Sequence, residues 1–473
     1  MNTGSTQHSP LAVIILAAGL GTRMKSELPK VMHGVCGRPM LSYVIDAALS
    51  VSPERVVVVI GPDQEAITEI LPVGCERALQ KERRGTGDAV RAGLEPLRGF
   101  EGDVMVLYGD VPLVHGDFVA GLRQRHVDAD AAATLTTVLL DDPVHYGRIV
   151  RDGDQRVARI VEYRDASPAE RAIEEINVGL YVFRGDLLLP TLERLGADNA
   201  QGELYLTDVV HLLLDSGQTV ASFESDDPEM CMGVNSRVEL AVVNKAMRRR
   251  LLERLMLAGV SVEDPSTAFV DWGVEVGRDT LIRANTHLLG RTTVGAGCEV
   301  GPGSFVCDAF IGDCARVVSS HLHDCVIGSG CSVGPFAYIR PNTVLAEKAK
   351  AGTFVEIKNS RIGEGSKVPH LSYVGDAVVG SGSNIGAGNI TANYDGFDKH
   401  PTTIGNNVRT GSDTTMVAPV TIGDGAFTAA GSVITRDVPA GALGVARGKQ
   451  ENVEGYAARR AARRLREQAG DAD

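Results

Sequence analysis

The 473-residue chain has few aromatic residues, a single tryptophan and no excess of positive charge. Its 47 Lys and Arg residues are outnumbered by 60 Asp and Glu residues, which gives a formal net charge of −13. A protein that binds nucleic acid through its overall charge shows the opposite balance. We therefore expect small-molecule partners and no nucleic acid, and any phosphate site must be a local group of cations.

The eight cysteines form no C-x-x-C pair and are irregularly spaced, which favours a reduced, cytoplasmic chain over a disulfide framework. The five in the second half, Cys298, Cys307, Cys314, Cys325 and Cys331, are expected to pack in the core as small apolar side chains. Residues 1–10 carry no Lys or Arg and no cleavage pattern follows, which argues against a signal peptide. No apolar segment is long enough to span a bilayer.

The length of the chain predicts two or more domains, and the sequence shows two different patterns along its length. Up to about Asn235, apolar runs such as RVVVVI, VMVLYG, AAATLTTV and NVGLYVF alternate with helical patterns such as GDAVRAGLEPL. This alternation predicts a mostly parallel sheet covered by helices, with ligands at the carboxyl ends of the strands. The segment SRVELAVVNKAMRRRLLERLMLAG has no helix breaker before Gly259, so we expect one long linking helix.

Beyond this helix, aliphatic residues recur every six positions, as in Ile282, Leu288, Val294, Val300 and Val306. The frame slips, resumes from Ile327 to Ile357, and returns after Ile404. Such a repeat predicts a triangular solenoid in which each short strand points one aliphatic residue inward. Antiparallel hairpins would need period-two alternation and two-residue turns, which are not seen here.

The first apolar run ends in a glycine- and cation-rich loop within LAVIILAAGLGTRMKSELPK. The loop lacks the third glycine of a dinucleotide fingerprint and the Gly-Lys-Ser/Thr of a P-loop. Its amides together with Arg23 and Lys30 can hold a triphosphate, although a tight turn with solvated cations also fits. Asp110 follows the apolar run VMVLYG, where a magnesium-bound nucleotide would lie; as a turn-forming residue before Val111-Pro112 it would be unremarkable.

The segments LAAGLGTRMKSELPKVMH, YGDVPL, EINVGLYVF and GVNSRVEL resemble sugar-1-phosphate nucleotidyltransferases. Together with VEIKNS, HLSYVGDA, NIGAGNITANYDG and ARGK, they make the chain from Leu11 to about Lys449 similar to the bacterial family that joins N-acetylglucosamine-1-phosphate uridyltransferase to glucosamine-1-phosphate N-acetyltransferase. The resemblance implies an α/β Rossmann-like nucleotidyltransferase domain and a left-handed parallel β-helix. We expect the domains at 1–235 and 260–446, a linking helix at 236–259 and a tail at 447–473.

This family acetylates glucosamine 1-phosphate with acetyl-coenzyme A and then transfers UMP from UTP to N-acetylglucosamine 1-phosphate, for peptidoglycan precursor synthesis. The resemblance implies that Arg23 and Lys30 act on the triphosphate and that Asp110 and Asn235 bind Mg²⁺. It implies a UTP and UDP-N-acetylglucosamine site formed by Leu16, Ala17, Gly19, Lys30, Gln80, Gly85, Thr86, Tyr108, Gly147, Glu162, Asn177 and Asn235. Taken singly, Asn177 could cap a strand, Glu162 could pair with Arg164, and Asn235 could cap the linking helix.

For acetyl transfer the resemblance implies His370 as the general base, a role that suits a side chain whose pKa is near neutral. It implies a sugar-phosphate site of Arg340, Lys358, Tyr373 and Asn384, with Glu356 as an orienting acid. It implies an acetyl-coenzyme A site of Ala387, Asn393, Tyr394, Ser412, Ala430 and Arg447. The segment TANYDGFDKHPTT interrupts the hexads and is expected to reach a neighbouring subunit of a homotrimer.

Two features are left without a function. His321, His323 and Cys325 have metal-ligand side chains, but no second group completes a tetrahedral set, so a corner loop is expected. The arginine-rich tail fits a helix, a disordered segment or a partner of coenzyme phosphates. A non-catalytic scaffold would be expected to lack Arg23, Asp110 or His370, and all three are present. A pyrophosphorylase with a purely structural or regulatory β-helix is disfavoured because His370 occurs together with Lys358 and Arg340.

Overall fold

The computed structural model describes residues 9–143, 146–197, 199 and 201–470. The chain divides into two compact units. Unit 1 comprises Met1–Arg254 and Val270–Trp272, and unit 2 comprises Leu255–Phe269 and Gly273–Asp473. Within the described ranges, no helix is both long enough and apolar enough to cross a bilayer.

Unit 1 is built on a nine-stranded sheet whose main strand order is β11-β7-β10-β6-β1-β4-β5. The strands of unit 1 are β1 Leu11–Leu16, β2 Gly34–Val35, β3 Arg38–Pro39, β4 Arg55–Ile60, β5 Cys75–Leu79, β6 Asp103–Tyr108, β7 Ala133–Leu139, β8 Gly147–Arg151, β9 Val157–Val161, β10 Glu175–Arg184 and β11 Val220–Glu224. The helices are α1 Met40–Leu49, α2 Thr86–Leu94, α3 Gly116–Asp128, α4 Pro168–Arg171, α5 Gly185–Leu192, α6 Thr207–Asp215 and α7 Arg237–Leu257, with 3₁₀ turns at Thr22–Met24, Lys30–Met32, Glu65–Ile70 and Pro228–Cys231.

The sheet is covered on both faces, which explains the continuous apolar runs of the sequence. In β1, Leu11, Val13 and Ile15 pack in one core cluster, while Ala12 and Ile14 pack in another. A strand buried on both faces needs apolar residues at every position rather than alternation. Along the main path four of the six pairings are parallel, in keeping with the predicted mostly parallel sheet. Strand β10 runs antiparallel between β6 and β7, and β8 pairs antiparallel with β10 and β9.

Helix α7 begins with a capping box: Ser236 Oγ accepts from the Glu239 N–H (3.3 Å), and the Glu239 carboxylate accepts from the Ser236 N–H (2.9 Å). It ends two residues before Gly259, whose φ of +96° closes the last turn. The cap is therefore Ser236 and not Asn235, which leaves the Asn235 side chain available for other contacts.

Unit 2 is a parallel β-helix in which every third strand pairs, so the strands form three faces. Its strands are β12 Ser261–Val262, β13 Phe269–Val270, β14 Glu275–Val276, β15 Leu281–Ile282, β16 His287–Leu289, β17 Thr293–Val294, β18 Glu299–Val300, β19 Phe305–Cys307, β20 Phe310–Ile311, β21 Arg316–Val317, β22 His321–His323, β23 Cys325–Ile327, β24 Ser332–Val333, β25 Tyr338–Ile339, β26 Thr343–Leu345, β27 Lys350–Thr353, β28 Glu356–Lys358, β29 Arg361–Ile362, β30 Lys367–His370, β31 Tyr373–Gly375, β32 Ala377–Val379, β33 Ile390–Ala392, β34 Thr402–Ile404, β35 Thr415–Val417, β36 Val420–Ile422, β37 Phe427–Thr428, β38 Val433–Ile434 and β39 Leu443–Gly444. The predicted α/β fold with a parallel hexapeptide β-helix is confirmed.

The frame slip after Val306 arises from sides that are one residue short. The next inward residues are Ile311, Val317, Leu322 and Ile327, all buried, so three of these four steps span five residues. The inward face continues unbroken, because a corner can absorb the missing residue. The first face runs from β12 to β30 and continues by single bridges at Asn384 and Arg409 to β37.

Three expectations for unit 2 need correction. His321–His323 is a strand and not a corner loop; the corner is Asp324, whose φ is +45°. Cys314 is exposed and Cys307 is half-buried, so these two thiols are not core packing residues, whereas Cys298, Cys325 and Cys331 are buried. The tail contains a helix, α8 Tyr456–Gly470, whose described side chains are exposed.

Candidate active sites

Unit 1 contains a cleft of about 580 Å³ at the carboxyl ends of β1, β5 and β6. This is the edge at which open α/β sheets bind ligands. Eleven of the predicted residues line it: Leu16, Ala17, Gly19, Arg23, Lys30, Gln80, Gly85, Thr86, Tyr108, Asp110 and Asn235. The cleft therefore brings together residues that lie far apart in the chain.

The loop after β1 is held by its carbonyl oxygens. The guanidinium of Arg83 donates to Ala18 O (2.8 Å), and Gln64 Nε2 donates to Gly19 O (3.0 Å). Gly21 has φ +63°, and a Cβ there would lie 2.7 Å from Lys30 Cβ. Only glycine permits this backbone conformation and this approach, so the loop can fold over the base of the Lys30 side chain.

Lys30, Asp110 and Asn235 converge in the cleft. The Lys30 ammonium donates to the Asp110 carboxylate and to Asn235 Oδ1, the latter at 3.1 Å. Asn235 reaches this point because the Val234 N–H donates to Asp110 O (2.9 Å). Two hard oxygen donors thus face one cationic group, which is the arrangement that a bound divalent cation also requires.

Gln80 and Gly85 form the side of the cleft above α2. Gln80 is buried, and its amide nitrogen donates to Gly85 O and to Asp88 Oδ2, each at 3.1 Å. Gly85 has φ +113°, and a Cβ there would lie 2.5 Å from Leu204 O. Thr86 Oγ1 accepts from the Leu206 N–H (3.0 Å). These contacts fix a backbone surface that a flat base can approach closely.

Gly147, Glu162 and Asn177 do not line the cleft, but they adjoin its Tyr108 wall. Gly147 is the register partner of Asn177, and a Cβ at Gly147 would lie 3.5 Å from Glu162 Oε2. Burial raises the pKa of the Glu162 carboxyl, and hydrogen bonding by Thr207 partly opposes this shift. Among the described residues no ion pair joins Glu162 to Arg164, so the salt-bridge alternative for Glu162 fails.

Asn177 sits at an irregularity of β10. Its Nδ2 donates to Tyr181 Oη (2.7 Å), and its Oδ1 accepts from the Gly179 N–H (3.3 Å). The register of β10 against β7 shifts between Asn177 and Tyr181. Asn177 therefore holds a bulge inside a strand and does not cap its end.

Six residues of the cleft were not predicted from the sequence: Ala18, Leu20, Val31, Arg83, Ala89 and Glu203. Arg83 lies in the run QKERRGTGDAV, but charge alone does not tell which of its two arginines faces inward. Glu203 follows a stretch without a recognisable pattern. Its position could be found only from the pairing of Leu204 with Arg84 (N–H to O, 2.7 Å).

In unit 2, His370 lies at the exposed end of β30, at the corner between the first and second faces. Backbone and side-chain hydrogen bonds connect successive turns of this corner: Gly388 N to His370 O, Asp413 N to Ala387 O, Gly431 N to Ser412 O, and Arg447 Nη1 to Ala430 O, at 3.3, 2.7, 2.8 and 3.0 Å. His370, Ala387, Ser412, Ala430 and Arg447 thus follow one corner column. An extended ligand can lie along such a column.

The second face carries three of the four predicted sugar-phosphate residues, Arg340, Lys358 and Tyr373. Arg340 donates to Glu356 (2.7 Å), and Glu356 is the register partner of Tyr373. Lys358 is close enough to lower the pKa of Lys399, while Asp376 acts in the opposite direction. Lys399 is a cation that sequence reasoning missed.

Asn393 and Tyr394 lie at the other end of this face, in the inserted segment after β33. Asn393 Nδ2 donates to the Asp376 carboxylate and approaches Tyr373 Oη (3.5 Å), while Tyr394 is 61% exposed. Asn384 stays on the first face, bridged to Lys367. Within one chain, the predicted acetyl-coenzyme A residues therefore occupy two different corners.

The family models agree with this division. Residues 13–176 match the MobA-like NTP transferase domain, residues 273–308 match the bacterial transferase hexapeptide model, and residues 321–425 match the GMPPB C-terminal domain. The chain is 50% identical over 457 residues to the Bifunctional protein GlmU of Streptomyces avermitilis, with 95% of both chains covered. The proteins of the same name from Mycobacterium sp. and Mycobacterium tuberculosis are 48% and 49% identical, with 94% and 92% of their lengths covered.

The chain belongs to the GlmU family. Like the family, it is a bifunctional enzyme, with a nucleotidyltransferase half and a hexapeptide-repeat acetyltransferase half that together make UDP-N-acetylglucosamine. The first half of this GlmU family member contains the cleft around Lys30, and the second half contains the His370 corner.

Proposed function

We propose that uridyl transfer takes place in the unit 1 cleft, with Arg23 and Lys30 on the triphosphate of UTP. The convergence of Lys30, Asp110 and Asn235 carries this proposal, because it puts one cation and two metal-ligand oxygens beside a glycine-rich loop. Gln80, Gly85 and Thr86 receive the uracil, and Gly147, Glu162 and Asn177 receive the N-acetylglucosamine. Leu16, Ala17, Gly19 and Tyr108 supply walls of the same site.

Asp110 and Asn235 fit the Mg²⁺ that the family implies. Mg²⁺ prefers oxygen donors, and it is held by one or two carboxylates while substrate phosphates and water fill its remaining positions. The two oxygens already accept from a single ammonium, so they can face one cation. When bound, Mg²⁺ neutralises charge on the phosphates, and the Lys30 ammonium is then free to turn toward them.

The chain's own residues act in this reaction by positioning and by charge. A phosphate oxygen of N-acetylglucosamine 1-phosphate attacks the α-phosphorus of UTP, and the bond to the bridging oxygen of pyrophosphate breaks. Lys30 and Arg23 stabilise the charge that moves to the leaving pyrophosphate. The reaction needs no protein nucleophile, because the in-line geometry is supplied by the bound substrates.

Acetyl transfer is proposed for unit 2, with His370 as the general base. The amine of glucosamine 1-phosphate attacks the thioester carbonyl, His370 accepts the amine proton, and the carbon–sulfur bond breaks to release coenzyme A. The corner column of Ala387, Ser412, Ala430 and Arg447 suits an extended pantetheine chain. Arg340 and Lys358 balance the sugar phosphate, and Tyr373 and Asn384 contact the sugar.

The acetyl-transfer site is completed by a second copy of the chain in a homotrimer. Asn393 and Tyr394 are separated from the His370 corner by the width of the second face, and the inserted segment exposes Tyr394 (61%) and Phe397 (91%). Exposed aromatic residues on a projecting loop suit a protein contact. A threefold arrangement brings the loop of one copy to the corner of the next.

The proposed place of action is the cytoplasm. Within the described residues no disulfide joins any of the eight cysteines, which suits a reducing compartment. We propose that a single chain uses both activated substrates, UTP and acetyl-coenzyme A. The acetylated sugar phosphate made in unit 2 is then the acceptor that unit 1 needs.

A coupled assay tests the proposal. The purified chain receives glucosamine 1-phosphate, acetyl-coenzyme A, UTP and Mg²⁺, and thiol release and pyrophosphate release are both followed. Omission of acetyl-coenzyme A is expected to stop both signals, and addition of N-acetylglucosamine 1-phosphate should then restore pyrophosphate release alone. Thiol release without any dependence on the amino sugar contradicts the proposed acetyl transfer.

A further inference from the structure

Cys307, Asp308 and His323 bring three metal-ligand atoms together on the outside of the β-helix. The Cys307 sulfur, a carboxylate oxygen of Asp308 and a ring nitrogen of His323 all lie within 4.8 Å of one another. Cys307 is half-buried, while Asp308 and His323 are exposed. The group belongs neither to the uridyl-transfer cleft nor to the corner column of His370.

The coil geometry builds this group. Cys307 and His323 are the last residues of β19 and β22 and are register partners, so both side chains leave the same face one coil apart. Asp308 turns back beside Cys307 with φ +50°. In the thiol form, Cys307 Sγ donates to Asp308 Oδ2 at 3.3 Å.

A backbone hydrogen bond to Oδ1 orients the Asp308 carboxylate, so that its Oδ2 faces the Cys307 sulfur and can bind a metal ion. Its Oδ1 accepts from the Arg291 N–H at 2.9 Å, and Gly290 makes room for it. A Cβ at Gly290 would lie 2.2 Å from this oxygen. Such outer contacts orient metal-ligating carboxylates.

We propose that Cys307, Asp308 and His323 bind a divalent transition-metal ion of the Zn²⁺ class, with a fourth position open to water. Sulfur and nitrogen donors favour Zn²⁺ or Co²⁺ over Mg²⁺. A tetrahedral ion with bonds of about 2.0–2.3 Å separates its ligands by roughly 3.3–3.8 Å, so small side-chain rotations bring these three atoms onto it. The Cys307 thiol loses its proton to solvent as the metal–sulfur bond forms.

This ligand set differs from His321, His323 and Cys325, whose side chains are of metal-ligand type but for which the sequence predicted a corner loop and no metal site. His321 is stacked on Phe305 (ring centroids 5.7 Å apart) and meets the Tyr338 ring edge to face (6.3 Å). Cys325 is buried and only 5% exposed. Only His323 belongs to both sets, so the two assignments predict different results for different variants.

Cobalt titration tests the proposal on the full-length chain after chelator treatment and removal of the chelator. Wild type is expected to bind one Co²⁺ per chain and to show a thiolate-to-cobalt charge-transfer band in the near ultraviolet. Cys307→Ser should abolish the band, while His323→Ala and Asp308→Asn should weaken binding by at least ~10-fold, since even outer-shell changes cost 10–100-fold. The matched controls Cys314→Ser and His321→Ala should retain both band and affinity.

Zinc protection gives a second measurement that does not depend on cobalt spectroscopy. Zn²⁺ should slow alkylation of Cys307, mapped by peptide mass spectrometry, without slowing alkylation of the exposed Cys314. Far-ultraviolet circular dichroism and pyrophosphate release report whether each variant is folded. Absence of the band in wild type, or its persistence in a folded Cys307→Ser variant, overturns the proposal.

Discussion

Lys30, Asp110 and Asn235 illustrate how single residues acquire a function from the fold. Each lies in a different part of the chain, and each has an ordinary structural explanation in the sequence alone. The hydrogen bond from the Val234 N–H to Asp110 O brings the Asn235 and Asp110 segments together, and the Lys30 ammonium contacts both side chains. A substitution that removes one charge of this group and keeps the side-chain shape can therefore test its role.

Asp110→Asn is expected to slow uridyl transfer by ~10²–10³-fold, the range for removal of one preorganised charge-stabilising group. Asparagine keeps the shape but removes the negative charge that pairs with Lys30 and that we propose binds Mg²⁺. Pyrophosphate release measured across a Mg²⁺ series should show a raised Mg²⁺ requirement. Acetyl transfer serves as the internal control, and its loss in a folded variant would contradict two independent sites.

His370→Ala is expected to slow acetyl transfer by ~10²–10⁴-fold, the usual effect of removing a positioned proton acceptor. Since the substrate amine is largely protonated at neutral pH, higher pH should partly restore the variant by supplying free amine. Thiol release from acetyl-coenzyme A across a pH series measures this, with uridyl transfer unchanged. Wild-type acetylation in the folded variant would mean that another group accepts the proton.

Glu162→Gln is expected to separate stability from sugar binding. Burial raises the pKa of Glu162, which means that ionising this carboxylate lowers the stability of the folded protein. This loss of stability is absent below the unfolded pKa of about 4.5 and is complete once the pH exceeds the raised folded pKa. The variant should melt higher than wild type at neutral pH and equally in acid. Its KM for N-acetylglucosamine 1-phosphate should rise ~10–100-fold, as for a lost charged hydrogen bond. A lower melting temperature at neutral pH with unchanged KM would refute this.

At this scale, sequence motifs predicted most of the cleft but not its exact limits. Asp110 closely follows the buried strand β6, so its position at the sheet edge could be predicted from the strand pattern. Lys30 lies well beyond the end of β1, and its position was implied by the family motif instead. The alternative of Asn235 as a helix cap could not be settled, because Ser236 with Glu239 satisfies the same pattern one residue later. Arg83 and Glu203 depend on tertiary pairing and carry no local signal.

The loop after β1 fixes the positions of the cations in the cleft. Its conformation requires Gly21 at positive φ against the Lys30 backbone and Cβ, and the carbonyl contacts from Arg83 and Gln64 fix the rest. The loop is thus a rigid turn, which matters because catalysis by positioning depends on where its cations point.

Gly21→Ala is expected to lower kcat/KM for uridyl transfer by ~10–10²-fold, since misplacement by about 1 Å can cost 10²-fold. The added methyl group would lie 2.7 Å from Lys30 Cβ, so loop or lysine must move. Gly74→Ala is the matched control, because Gly74 has φ +94° but a Cβ added there would meet no atom within 4 Å. If both variants have a lower melting temperature than wild type but retain the wild-type kcat/KM, the loop does not position Lys30.

Element prediction succeeded where periodicity was strong. The period of six predicted the three-faced β-helix, and its slips arise from five-residue sides that keep the same inward residues. The antiparallel direction of β10 could not be predicted, because a strand buried on both faces has the same composition in either direction. The convergence of Cys307, Asp308 and His323 likewise depends on coil register, which the slip obscures in sequence.

For the whole molecule, the proposed acetyl-transfer site makes assembly into the proposed homotrimer a condition of acetyl transfer. The corner column holds His370, while Asn393 and Tyr394 lie at the opposite end of the second face. Within a single chain Asn393 approaches Tyr373, but His370 lies at the opposite end of this face, so we propose that a second chain supplies the loop for each His370. Light scattering of the full-length chain is expected to give three times the chain mass of 50.1 kDa.

Mixed assemblies test this dependence directly. His370→Ala chains and Asn393→Ala/Tyr394→Ala chains, co-expressed with different tags and purified on both, should form trimers in which one site combines an intact His370 with an intact loop. Each such trimer should recover roughly one third of wild-type acetyl transfer, although either parent alone is nearly inactive. Uridyl transfer in both parents controls for folding, and mixtures of His370→Ala with His370→Gln control for association without complementation. Mixed trimers no more active than their parents would place the whole acetyl-transfer site within one chain.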